Sequence, residues 1–208
     1  LKPDCVFGFS DLQADIAPQL IRHGAQVRVC KQRGVGEIFS LLYQVAAMVG
    51  KLELGIQLIA EMQTYLLQIK EQSRQLIRRP VVYFEEWDTP NMSCIAWVSE
   101  LIGIAGGDDC FPELAEQSLG KGRIIADPLE IVKRQPDIIF GSWCGKKFRP
   151  EHVAARDGWQ DVPAVRNQQL FEIKSPDILQ PGPAALTDGV AQMHKIIMSW
   201  GEFEKTQK

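Results

Sequence analysis

One short phrase occurs twice in this chain of 208 residues, and its repetition constrains the fold more than any other feature. Residues 2–9 are KPDCVFGF, and residues 135–143 are QPDIIFGSW. In both copies a Pro-Asp pair precedes a short apolar run, which is typical of a buried strand. The second copy follows DPLEIVKR, which predicts a short amphipathic helix. The repeat therefore predicts two lobes of similar plan.

The first copy and the residues that follow it predict a parallel βαβ unit. The strand CVFGF at 5–9 is followed by SDLQADIAPQLIRHG, a helix with Ser10 or Asp11 as its N-cap and Gly24 as its stop. The strand QVRVC at 26–30 completes the unit. A domain usually needs about 100 residues, so we expect that residues 1–35 are the remainder of a truncated N-terminal lobe. Such a lobe would expose a strand edge and an open core.

Apolar residues at spacings of three and four then predict helix from Val35 to about Arg74. Gly50 and Gly55 are expected to divide this region, leaving a second helix of about 20 residues and about 30 Å. Pro80 ends it. We therefore divide the chain into an N-terminal remainder at 1–35, an interlobe helical segment at 36–79 and a C-terminal α/β lobe at 80–208.

The C-terminal lobe is predicted from alternating strand and helix patterns. Its strands are VVYFEE at 81–86, DIIFG at 137–141 and QLFEIK at 169–174. Its helices are CIAWVSELIGIAGG, which ends at Gly106-Gly107, a short helix at 128–134, and the closing segment PGPAALTDGVAQMHKIIMSW, which starts with proline.

Composition and cysteine usage exclude several classes of protein. With 45% hydrophobic residues, 24% charged residues and a net charge of -3, the chain has material for a core and no electrostatic footprint for nucleic acid. No apolar run approaches the roughly 18 residues of a membrane helix. The five cysteines are odd in number and form no CxxC pair, so neither a zinc site nor a disulfide framework is indicated.

Few residues in the sequence support catalysis or metal binding. Cys144 and His152 are a nucleophile and a base with no third group to orient them, and no glycine-rich phosphate loop occurs. Glu85, Glu86 and Asp88 could ligate a metal, but neighbouring strand residues point to opposite faces. We predict no enzyme and no metal site. The unpaired cysteines and the lack of an export signal keep an intracellular α/β enzyme open as an alternative.

Four motifs carry a family resemblance. They are LKPDCVFGF, WVSELIGIAGGDDCF, DPLEIVKRQPDIIFG and VPAVRNQQLFEI, the last followed by the proline-started terminal helix, and they span almost the whole chain. In this order they resemble the periplasmic binding proteins that serve cobalamin and ferric-siderophore ABC importers, nearest to the cobalamin-binding branch. The resemblance implies an α/β fold of two Rossmann-like lobes, joined by a long backbone helix, with a shallow cleft between them.

The same resemblance implies the function. A protein of this kind is the substrate-binding component of an ABC importer, periplasmic or extracellular and membrane-anchored, and it delivers a cobalamin-type metal chelate to the membrane permease subunits. It needs no cofactor of its own. A siderophore or haem binder of the same family is the alternative, in which basic residues would dominate over aromatic rings.

Ligands of open α/β sheets bind beyond the carboxyl ends of the strands, which here are 9–11, 85–88, 142–145 and 174–177. Aromatic rings at such ends suit a large, flat ligand such as a corrin or porphyrin, and basic side chains in CGKKFRPE could pair with its carboxylates or phosphate. The aromatic residues could instead be packing anchors, and the basic residues could belong to a solvated loop. The predicted ligand-binding residues are Phe9, Trp87, Trp143, Lys146, Phe148, Arg149, Trp159 and Asp177. By resemblance, Phe9 matches a ligand-facing aromatic, and Asp177 is an offset counterpart of an aspartate near the last strand.

The resemblance also implies one acidic residue on each lobe that docks to arginines of the permease. Asp15 matches the first-lobe position, on the helix after the Phe9 strand and one turn in, where the helix dipole favours an anion. Glu130 is the nearest acid of the second lobe, one residue from the expected place, which turns a helical side chain by about 100°. Both could instead be ordinary solvated acids.

Overall fold

The computed structural model describes residues 3–9, 13 and 15–206. Strands β1 (Val6–Phe9) and β2 (Val27–Cys30) pair in parallel around helix α1 (Ala17–Arg22), which confirms the predicted βαβ unit. The predicted caps Ser10 and Asp11 lie outside the described residues. Asp15, predicted one turn inside a helix, lies instead in a turn before α1. Pro18 suits the first turn of α1, because proline needs no backbone partner there.

Two antiparallel helices follow, α2 (Val35–Met48) and α3 (Leu52–Ser73). Gly50 separates them with a φ of 67°, in the left-handed region that glycine enters at low cost. The prediction that Gly55 also breaks the helix is wrong, because Gly55 lies inside α3. A Cβ atom there would come within 2.2 Å of the Ala46 Cβ atom, so this glycine lets α2 and α3 approach closely.

Within the described residues, the second sheet has five strands: β3 (Val81–Asp88), β4 (Asn91–Ser93), β5 (Asp108–Asp109), β6 (Ile138–Gly141) and β7 (Leu170–Glu172). Strand β3 pairs in parallel with β5 and β6, β6 pairs in parallel with β7, and β4 folds back antiparallel on the end of β3. The short strands β4 and β5 were not predicted. The mostly parallel arrangement confirms the α/β class.

Helices cover both faces of this sheet. They are α4 (Ala96–Ala105), α5 (Pro112–Ala115), α6 (Leu129–Arg134), α7 (Pro150–Ala154), α8 (Pro163–Arg166), α9 (Ser175–Ile178) and α10 (Val190–Thr206), with a 3₁₀ turn at Gly120–Arg123 and a π-helical turn at Ala185–Gly189. Helix α4 ends at Gly106, whose φ is 107°, as predicted for its stop. Among the helices that the structure describes, none combines the length and the apolar composition of a membrane span.

Two hydrophobic clusters fill the space between these layers. Because alternate strand residues point to opposite faces, Phe84 of β3 joins the first cluster and its neighbour Tyr83 joins the second. The first cluster also contains Ile38 of α2, Met62 of α3 and Trp97 of α4, and it extends to the first sheet through the half-buried Phe9. The predicted domain boundaries at residues 36 and 80 stay predictions.

Candidate functional site

The carboxyl ends of β6 and β7 open into a cavity of about 460 Å³. One wall is the loop after β6, and the other is the segment that leads from β7 into α9. The lining residues are Trp143, Gly145, Lys146, Lys147, Glu172, Ile173, Lys174, Ser175 and Pro176. We call this space the lysine cavity. It lies where ligands of parallel α/β sheets bind.

The buried side chain of Phe148 fixes the loop at 142–149. Its ring is buried, contacts the indole of Trp143 edge to face at 5.0 Å between centroids, and packs against Gly141, where a Cβ atom would come within 1.9 Å of it. The backbone N–H of Phe148 donates to Glu172 Oε1 at 3.0 Å. These contacts fix the rim that presents Lys146 and Lys147.

The lining residues of the lysine cavity carry three ammonium groups, from Lys146, Lys147 and Lys174, and one carboxylate, from Glu172. Lys146 is partly neutralised, because its Nζ lies 2.5 Å from Asp88 Oδ1. The same ammonium lies over the ring of Trp87 at 4.3 Å, in cation–π geometry, and 5.5 Å from the ring centre of Trp143. The cavity therefore combines an excess of positive charge with one indole in its wall, that of Trp143, and a second, that of Trp87, against Lys146.

A second cavity, of about 450 Å³, lies beside the β3–β4 hairpin. It is lined by Asp88, Thr89, Pro90, Asn91, Ile125, Ala126, Pro128, Arg156, Asp157 and Trp159. Asp88 lines this cavity and Lys146 lines the lysine cavity, so their ion pair contributes to the walls of both spaces.

A buried carboxylate ties the strand β3 to the cavity wall. Glu85 is fully buried, and its Oε1 accepts a hydrogen bond from Trp143 Nε1 at 3.0 Å. Arg156 binds both carboxylate oxygens, at 2.7 and 2.9 Å. On the opposite face of β3, Glu86 forms a bidentate pair with the buried Arg123. Each of the two neighbouring glutamates is thus paired with its own arginine. The part of the chain that the structure describes contains no group of three potential metal ligands.

Three of the eight predicted ligand-binding residues lie at the lysine cavity. Trp143 and Lys146 line the lysine cavity, and Trp87 contacts Lys146. Phe148 lies beneath the loop, and Arg149 is exposed, 3.6 Å from Glu151. Trp159 is buried in the second hydrophobic cluster, which also contains Trp143, and it contacts Tyr83 and borders the second cavity.

The remaining two predicted residues lie at the first hydrophobic cluster and on α9. Phe9 contacts Trp97 edge to face at 6.1 Å, and Asp177 accepts a hydrogen bond from Gln192 at 3.1 Å. Neither lines the lysine cavity, and their binding roles stay predictions. Lys174 lies at a strand end and was not among the predicted binding residues. Neither was Glu85, whose partners Trp143 and Arg156 are distant in the chain.

Comparison with known proteins adds family information. The family model described as periplasmic binding protein matches residues 1–176. No curated protein matches the chain significantly. Solved structures do: a possible iron-binding (periplasmic solute-binding) protein from Staphylococcus epidermidis is 16% identical with a TM-score of 0.76, over 94% of this chain and 76% of that one.

Two further solved structures have the same fold. The periplasmic vitamin B12 binding protein BtuF of Vibrio cholerae is 18% identical, with a TM-score of 0.71, over 96% of this chain and 76% of that one. IsdE of S. aureus, complexed with heme, is 14% identical, with a TM-score of 0.74, over 94% of this chain and 77% of that one. At these identities the likeness establishes the fold: two α/β lobes joined by helix, as predicted.

Proposed function

This chain belongs to the periplasmic binding protein family, and from that membership we propose that it delivers an anionic metal chelate, of the haem or carboxylate-siderophore class, to an ABC importer. The family and its solved relatives are substrate-binding transport proteins and not enzymes, as the sequence predicted. The observation that carries the proposal is the charge of the lysine cavity. Lys146, Lys147 and Lys174 line it against one carboxylate.

Physical chemistry favours an anionic ligand there. Each lysine is a point charge on a flexible stem, suited to carboxylates that approach from different directions. Glu172 is already engaged by the Phe148 N–H, and Lys146 is shared with Asp88. A ligand carboxylate that replaces Asp88 at Lys146 would lie beside the ring of Trp87, where a flat macrocycle could stack.

Cobalamin is the second candidate. The observation that favours it is the indole of Trp143 in the cavity wall, together with that of Trp87 against Lys146. A corrin presents a broad apolar face and amide side chains, so its binding would depend on the rings more than on the lysines. Titration of the protein with haemin, ferric citrate and cyanocobalamin, followed by tryptophan fluorescence, tests the candidates. Failure of all three to bind would overturn the proposed ligand class.

Reversing two charges in the lysine cavity should weaken haemin binding at least tenfold. The double variant Lys147→Glu/Lys174→Glu replaces attraction by repulsion at two exposed positions, and each such interaction is worth about 1 kcal/mol near water. The matched control is Lys70→Glu/Lys195→Glu, which makes the same change in net charge at exposed helix positions outside the cavity. Its affinity should stay within about threefold. Equal affinities in the two double variants would contradict an anionic ligand in this cavity.

Proteins of this family work outside the cytoplasmic membrane with permease subunits, so a periplasmic or extracellular location follows. We propose that Asp15 and Glu130 make the contact with the permease. Asp15 is exposed in the turn before α1, and Glu130 lies in the first turn of α6, half-buried and paired with Lys133. Docking through Glu130 would exchange that lysine for a permease arginine.

The double variant Asp15→Arg/Glu130→Arg is expected to abolish uptake by the reconstituted importer while chelate affinity stays within about threefold, because rim charges act on the partner and not on the cavity. The control Glu61→Arg makes the same kind of reversal on the exposed face of α3 and should leave uptake intact. Unchanged uptake in the double variant would show that neither acid docks.

A further inference from the structure

We propose that Glu85 is the positioning residue of the binding site: from inside the sheet it fixes the orientation of Trp143, and through Trp143 the wall of the lysine cavity. The importance of that wall for a ligand rests on the function proposed above. The anchoring itself is a property of this chain and can be tested without any ligand.

Five hydrogen bonds converge on the Glu85 carboxylate. Oε1 accepts from Trp143 Nε1 at 3.0 Å and from Arg156 Nη2 at 2.9 Å. Oε2 accepts from Arg156 Nη1 at 2.7 Å, from Asn91 Nδ2 at 2.9 Å and from the Tyr83 hydroxyl at 3.2 Å. The donors come from four segments: β3, β4, the loop after β6 and the residues after α7.

The carboxylate acts as a rigid acceptor because its surroundings hold every partner in the donating form. Burial, and then the negative charge of Glu85, raise the pKa of Tyr83 well above its usual value, so its hydroxyl keeps its proton. Burial opposes the charge of Arg156, but its hydrogen bonds and attraction to Glu85 outweigh this and raise the pKa of the guanidinium. Arg156 is further held over the ring of Trp159, at 4.6 Å.

Trp143 is the one member of this network that lines the lysine cavity. Its indole can swing about two side-chain torsions, and the bond to Glu85 selects one orientation. Lys146 lies 5.5 Å from that ring and is bound by Asp88, three residues after Glu85 in the same strand. Strand β3 therefore holds the cavity loop at two points: Asp88 contacts the lysine directly, and Glu85 acts through the indole.

The neighbouring residue supplies a matched control. Glu86 also forms a bidentate pair with a buried arginine, Arg123, which in turn donates to the Ser93 carbonyl at 2.7 Å. It occupies the other face of β3 and is not among the residues that line the lysine cavity. Glu85→Gln and Glu86→Gln thus remove the same charge from the same kind of pair, and only the first touches Trp143.

The test is the indole N–H spectrum of ¹⁵N-labelled protein, with the Trp143 signal assigned from Trp143→Phe. In Glu85→Gln we expect this signal to shift and its exchange with water to accelerate at least tenfold. The indole of Trp97, which donates to the Ile178 carbonyl at 2.9 Å, should not change. Glu86→Gln should leave the Trp143 signal in place. An unmoved Trp143 signal in Glu85→Gln would overturn the proposal.

Haemin titration of the same variants separates the anchoring from the proposed function. We expect Glu85→Gln to lose at least tenfold in affinity and Glu86→Gln to stay within about threefold. Equal affinities of the two variants would overturn the link between Glu85 and the binding site. A wild-type protein that binds no chelate would overturn the proposed function. The indole spectrum would then still test whether Glu85 anchors Trp143. If Glu85→Gln fails to fold, Arg156→Lys is the second test. This variant keeps the positive charge but loses the bidentate hydrogen bonds to Glu85, and the Trp143 signal must move in it.

Discussion

Replacing Gly141 by alanine is expected to destabilise the protein by about 2 kcal/mol and to abolish ligand binding in the lysine cavity. The new Cβ atom would lie 1.9 Å from the ring of Phe148. That ring is buried against Trp143 and its backbone is tied to Glu172, so the whole loop must shift. Overpacking of this kind costs about 1–3 kcal/mol, and a loss of about 2 kcal/mol lowers the melting temperature of a chain of this size by roughly 4–8 °C.

Thermal denaturation and haemin titration of Gly141→Ala measure the two effects. The control is Gly103→Ala, in the interior of α4, where an added Cβ atom meets no heavy atom within 4 Å. Because alanine favours helix over glycine by about 1 kcal/mol, this control should be neutral or stabilising. A Gly141→Ala protein with unchanged melting temperature and affinity would show that Phe148 does not brace the loop.

Replacing Trp97 by alanine should cause the largest loss of stability, about 3–5 kcal/mol. The side chain is almost completely buried, its Nε1 donates to the Ile178 carbonyl at 2.9 Å, and its ring meets Phe9 edge to face. Its removal would open a cavity in the first hydrophobic cluster and leave a buried carbonyl without a donor. The loss should affect both sheets, because Trp97 contacts Phe9 of β1 and lies in the same hydrophobic cluster as Phe84 of β3.

Urea denaturation measures this loss, with Trp97→Phe as the graded comparison. Phenylalanine keeps most of the ring but not the N–H, so we expect a smaller cost of about 1–2 kcal/mol from the missing hydrogen bond and the lost volume. A Trp97→Ala protein within 1 kcal/mol of the wild type would contradict the role of Trp97 as the joint between the two sheets.

Much of the fold was predictable because its elements obey local periodicities. The long helices and the strands β1, β2, β3, β6 and β7 have runs or spacings that a sequence displays directly. Strands β4 and β5 have three and two residues and no such pattern. Gly55 was assigned wrongly because the sequence shows its cost to a helix but not the neighbouring Ala46 that makes a glycine necessary there.

The candidate site was predictable only in part, for a related reason. Trp143 and Lys146 follow a strand directly, so the rule that ligands bind at strand ends finds them. Glu85 also lies near a strand end, but its role depends on hydrogen-bond donors elsewhere in the chain. Arg156 is 71 residues away in the sequence, and no local pattern connects the two. Phe148 and Trp159 were predicted as aromatic side chains near the site, and the sequence could not show that both are turned into the core.

The helical hairpin that Gly50 closes has a consequence for how the chain folds. Helices α2 and α3 are joined by three residues, whereas Val82 of β3 must find Ile138 of β6 far along the chain. Closing a short loop costs little entropy and local contacts form fastest. We therefore expect the hairpin to form early and to offer an apolar surface on which the slower, long-range pairing of the second sheet condenses.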